Sequence, residues 1–111
     1  MGFVRLFESR FQEAERVFTQ LLARGKSMRV FLGRAMARLS LKDYEGAAQD
    51  ASEVLARSPE TEAYLLRGSA LSALRKDDLA RRDFEAVLQQ GSPRQQARAR
   101  AALAELARRR R

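Results

Sequence analysis

One interval organises this chain. Ala14, Ala47 and Ala80 stand 33 residues apart, and so do Leu22, Leu55 and Leu88. Leu21, Val54 and Val87 precede those leucines by one position, and Gly2, Ala35 and Gly68 keep the interval with small side chains throughout. Phe18 and Phe84 match around Ala51. Leu41 matches Leu74 where the first copy has Glu8, and Asp50 matches Asp83 where the first copy has Val17. Self-similarity at a fixed period of this size marks a chain built from stacked supersecondary units, each burying its apolar face against the next.

Within each copy the apolar spacing is helical. Val30, Phe31, Arg34, Ala35, Arg38 and Leu41 predict a first helix of about 13 residues, and Ala47, Ala48, Ala51, Val54 and Leu55 a second, at intervals of three and four. The third copy reads likewise from Tyr64 to Leu74 and from Leu79 to Leu88. The links Leu41-Lys42-Asp43 and Arg75-Lys76-Asp77 end in acids able to cap the following helix. Ser58-Pro59-Glu60 reads as a helix start, with serine capping, proline first and an acid in the first turn. Ser92-Pro93-Arg94-Gln95 repeats that device, with Gln95 completing a capping box and Gly91 suiting a left-handed helix terminus. Gly25-Lys26-Ser27 serves the same boundary without proline.

Composition narrows the function classes. The 111 residues contain no Cys and no His, which removes thiolate chemistry, disulfides and the commonest acid–base catalyst and metal ligand. The eight serines have no His to act as base, Lys26, Lys42 and Lys76 fall in inter-helix turns, and the six glycines are scattered instead of forming a phosphate-cradling loop. No enzyme activity, metal or cofactor is therefore expected. No apolar run approaches a membrane span, and the N-terminus matches neither a secretory nor a myristoylation signal, so the expectation is a cytoplasmic or nuclear chain without membrane partners.

The aromatic, small and Ala-x3-aromatic positions of each copy resemble the tetratricopeptide repeat. The third copy supplies Tyr64, Arg67-Gly68, Ala80, Phe84 and Pro93. The second supplies Phe31, Arg34-Ala35, Tyr44, Ala47, Ala51 and Pro59, and the first Gly2, Phe11, Ala14 and Phe18. Ankyrin repeats share the 33-residue spacing, but their Thr-Pro-Leu-His turn is absent here. The tetratricopeptide repeat usually has 34 residues, so one residue is missing from a turn, and Asp77 replaces an aromatic. The resemblance implies an all-α fold, a right-handed α-solenoid of antiparallel helix pairs. One domain would span 1–111: a partial repeat over 1–26, repeats over 27–59 and 60–92, and over 93–111 a capping helix, the seventh helical segment, with a basic tail. Ala97, Ala101, Leu103, Ala104 and Leu106 would form the apolar side of that last helix. The first helix lacks its front half, as in a fragment of a longer array or a truncated helix. That leaves Phe3, Phe7 and Phe11 incompletely covered and invites self-association.

The same resemblance implies an adaptor or scaffold that binds a peptide or helix of a partner protein in a concave groove. The groove candidates are Arg29, Leu32, Met36, Leu65 and Ser69, with Phe3 and Leu6 contributing. The Lys and Asn carboxylate clamp of some family members is not reproduced, which favours an apolar or helical ligand. A second reading rests on charge. The net charge is +8, of which residues 94–111 carry +6, from seven Arg against one Glu. Arg98, Arg100, Arg108, Arg109, Arg110 and Arg111 form a basic tail that could bind nucleic acid or an acidic surface by counterion release. No aromatic lies among them to stack bases.

Overall fold

The computed structural model of the chain describes residues 2–25 and 27–109, with side chains from residue 7 onward. Among these residues it is all helix, without strand: α1 (Gly2–Arg24), α2 (Met28–Ser40), α3 (Tyr44–Leu55), α4 (Thr61–Ala73), α5 (Asp77–Gln90) and α6 (Pro93–Arg109). Each helix packs on the next along the chain, and α4 also touches α2 and α6. No helix among the described residues is long and apolar enough to cross a membrane.

The two inner links share one geometry. Lys42 and Arg75, 33 residues apart, both adopt left-handed backbone, with φ 66° and 63°. The N–H of Asp43 donates to the Arg38 carbonyl and that of Lys42 to the Leu39 carbonyl. Lys76 and Arg75 donate correspondingly to Leu71 and Ser72. These are paired helix-closing bonds of the Schellman type, formed here on side-chain-bearing residues where glycine is usual. Asp43 then caps α3, its carboxylate accepting from the Gly46 N–H at 3.1 Å. Asp77 does not cap α5. Lys76 occupies that position, and the Asp77 carboxylate instead accepts from Arg109.

The first copy forms no hairpin. Its link would fall at Glu8-Ser9-Arg10, but α1 runs through it unbroken. Glu8 is exposed where the half-buried Leu41 and Leu74 close α2 and α4, so the apolar contact that accompanies those helix ends is missing. Among the described residues there are consequently six helices, not seven. Ala47 and Ala80 are wholly buried, whereas Ala14, without a first-copy partner helix, is half-buried.

Two other boundary expectations fail. Helix α4 begins at Thr61, two residues beyond Pro59. Ser58 does not cap it, and the Pro59 carbonyl instead accepts from Gln90 Nε2 at 2.8 Å. Gly91 is extended (φ −80°, ψ 162°), not left-handed. It is small because a Cβ there would sit 2.6 Å from the Val87 carbonyl oxygen. The capping box at Ser92 does form: the Ser92 N–H donates to Gln95 Oε1 at 3.0 Å, and the Gln95 N–H to Ser92 Oγ at 3.2 Å.

The core lies on both sides of α4. Phe31, Ala35, Ala51 and Val54 of α2 and α3 meet Ala63 and Leu66 of α4. On the other side Leu65 joins Ala80, Phe84 and Val87 of α5 and Ala99 and Leu106 of α6. Burying Phe84 contributes about 1.5–3 kcal/mol by area. Gly68 makes room for its ring: a Cβ there would lie 2.8 Å from Phe84 Cε1. In α6 the buried residues are Ala99 and Leu106. Ala97, Ala101 and Ala104, expected on the apolar side, face solvent.

Candidate interaction surface

The repeat recurs in the ion pairs. Arg34 Nε and Nη2 each donate to the Asp50 carboxylate at 2.8 Å, while Nη1 donates to Thr19 Oγ1 at 3.3 Å. Arg67 donates from the same atoms to Asp83 at 2.9 and 2.8 Å and to Ser52 Oγ at 3.2 Å. Every member of the second set is 33 residues beyond its counterpart in the first. Each guanidinium also lies 5.9 Å from the ring three residues earlier, Phe31 or Tyr64. The side-chain hydrogen bonds to Asp50 and Asp83 hold both arginines above the ordinary guanidinium value, against the opposing effect of burial. Fork-shaped pairing of this kind fixes the angle between two helices as well as their contact.

Where the two sets differ, a cleft opens. Between α1, α2 and α3 the space is filled by Arg38, whose Nε donates to Glu15 at 2.8 Å and whose Nη1 lies 3.3 Å from Asp50. Between α3, α4 and α5 the corresponding residues are Leu71 and Ala48, which are shorter and uncharged. The result is a cleft of about 630 Å³. Leu71, Leu79 and Ala48 supply its apolar lining and the Arg67–Asp83 pair its polar part, with Glu53 and Arg82 also bordering it. Leu79 is exposed, although it sits at a position where a buried residue would be unremarkable.

None of the groove candidates lines this cleft. Met36 is 53% exposed and Arg29 is exposed, while Leu32 and Ser69 are half-buried, Leu32 against the first core cluster. Leu65 is 3% exposed and belongs to the second cluster, so it is core and not groove lining. The side chains of Phe3 and Leu6 lie outside the described residues. Phe7 is exposed and Phe11 half-buried.

The basic tail is not one free cluster. Arg109 is held inward, donating to Ser72 Oγ at 2.6 Å, to the Ser72 carbonyl and to Asp77 at 3.2 Å. Arg98 lies 3.7 Å from Glu62, Arg108 pairs with Glu105, and Arg100 is exposed. Arg110 and Arg111 lie outside the described residues. The sequence matches no protein-family model and no curated protein.

Proposed function

We propose that the chain is a protein-interaction module of the tetratricopeptide kind, a right-handed α-solenoid of antiparallel helix pairs with α6 covering its last apolar face. Its role is that of an adaptor or scaffold. The partner is an extended or helical segment of another protein, anchored by an apolar side chain between α3 and α5. The observation that supports this is the cleft itself. The repeat has a way of filling that space, the Glu15–Arg38 pair, and here has Ala48 and Leu71 instead. An open apolar recess with a few fixed polar groups is the usual anatomy of a recognition site.

The test restores the filling. In Ala48→Glu with Leu71→Arg, the pair seen between α1 and α2 is rebuilt one repeat later, closing the cleft and giving up the contact of Leu71 with the second core cluster. Panning a displayed peptide library against the natural chain should enrich sequences that the double variant does not bind, while the double variant, though less stable, keeps the helical circular dichroism of the natural chain. Equal enrichment on the two proteins would remove the cleft as the binding site.

A further inference from the structure

Helix α6 is a third copy of α2 and α4. Phe31, Tyr64 and Ala97 are in register, as are the small residues Ala35, Gly68 and Ala101 and the arginines Arg34, Arg67 and Arg100. In α2 and α4 this face is covered by the following helix, α3 or α5, through the Arg–Asp fork. In α6 the same face is open. Ala97, Arg100, Ala101 and Ala104 are all exposed, and Arg100 makes no ion pair with any described residue. The opposite side of α6 is firmly seated, with Ala99 and Leu106 in the core and Arg109 bonded to Ser72 and Asp77. The face is therefore continuous in pattern with two interfaces that the molecule already builds.

Charge decides what fits it. The helices that cover α2 and α4 are acidic: α3 carries Glu45, Asp50 and Glu53 with no basic residue, and α5 carries four acids against Arg81 and Arg82. Arg94, Arg100 and Arg108 of α6 are exposed, while Arg98 turns toward Glu62 of α4. One other occupant is a second copy of this chain, because α1 bares the counterpart face: Val17 and Leu21 are 45% and 42% exposed. That occupant fits poorly. Val17 stands at the register of Asp50, and α1 carries four arginines against three glutamates, so Arg100 would meet a methyl group and a slightly cationic helix. Removing a guanidinium from water without a carboxylate is unfavourable.

We infer that the outer face of α6 docks an acidic amphipathic helix of a partner protein whose aspartate forks onto Arg100. The pattern of α3, Ala-x-x-Asp-Ala-x-x-Val over Ala47–Val54, is the minimal sequence such a helix needs; α5 shares it except for Phe84, which requires the glycine that α6 replaces with Ala101. This surface is separate from the α3–α5 cleft, so either reading can fail without the other.

The probe is a synthetic peptide with the sequence of residues 43–58, whose Ala51 meets Ala35 in the molecule and so suits Ala101, whereas the Phe84 of α5 needs a glycine. The peptide is stapled across positions 49 and 56 so that helix formation does not limit binding. Its fluorescence anisotropy is read on adding the full chain. The peptide should bind, and Arg100→Glu, an exposed change that leaves the melting temperature unaltered, should weaken it ~10-fold or more. An Asp50→Asn peptide should lose a similar factor, and an Asp50→Lys peptide should bind the Arg100→Glu protein better than the natural one. No binding by the stapled peptide, or binding indifferent to Arg100→Glu, overturns the inference. So does a concentration-dependent dimer in light scattering that Leu21→Glu abolishes, because α1 of a second copy would then be the occupant.

Discussion

Asp83 and Asp50 are equivalent in the repeat but not in their partners, and that difference predicts unequal losses on removing their arginines. The Asp83 side chain is 5% exposed, and among the described residues Arg67 is its only cation. Asp50 has two, Arg34 and Arg38. Deleting one partner of a buried pair costs about 3–5 kcal/mol because it strands a charge. Arg67 is itself 28% exposed, so water reaches the pair and the low end applies. Arg67→Met should therefore cost about 3 kcal/mol, whereas Arg34→Met, with Arg38 still 3.3 Å from Asp50, should cost about 1–2 kcal/mol. At ~4 °C per kcal/mol for a domain of this size, the melting temperature falls by ~12 °C in the first case and ~4–8 °C in the second. Urea titration followed by circular dichroism measures both. Arg67→Met with Asp83→Leu should recover most of the loss, since it removes the stranded charge. Because the folded-state values of both arginines are raised, their contribution is complete below the ordinary guanidinium value and is lost only as pH climbs through the folded value. The gap between the natural chain and Arg67→Met should thus stay constant from about pH 7 to about pH 10. Equal losses for the two single variants, or a loss below about 1 kcal/mol for Arg67→Met, would refute the reasoning.

Two further expectations follow from backbone geometry. Lys42→Gly and Arg75→Gly relieve left-handed backbone on residues with a Cβ, and each should raise stability by about 0.5–1 kcal/mol in the same titration. Gly68→Ala drives a methyl against the buried Phe84 ring and should cost about 1–2 kcal/mol, whereas Gly33→Ala meets Phe18, which is half-buried and can yield, and should be close to neutral.

The helices were legible wherever apolar spacing and caps agreed. The 13 residues of α2 and the capping box of α6 follow from Phe31-x3-Ala35 and from Ser92-Pro93-x-Gln95. Helix α4 shows where such reading stops. It is packed on both sides, so Leu65 and Leu66 are both buried, and periodicity could not say which of them faced a groove. The period exposed the recurrence of Asp50 and Asp83 and of Arg34 and Arg67. It could not show that they pair, because a separation of 16 residues becomes a contact only once the link between two helices has reversed the chain. The cleft was hidden for a related reason. Leu71 and Ala48 are unremarkable alone and become informative only beside Arg38 and Glu15, whose salt bridge fills the equivalent space. In α1 the period runs into Glu8-Ser9-Arg10, where a charged residue replaces the leucine that closes α2 and α4, and the helix continues.

The Arg109 contacts reach farthest back along the chain. They join residues 37 and 32 apart, whereas each Arg–Asp fork spans only 16. Short loops close at lower entropic cost than long ones, and chains dominated by near-neighbour contacts fold quickly. The two inner hairpins should therefore zip up before Arg109 fastens, so that the C-terminal helix is the last to settle onto a middle already formed.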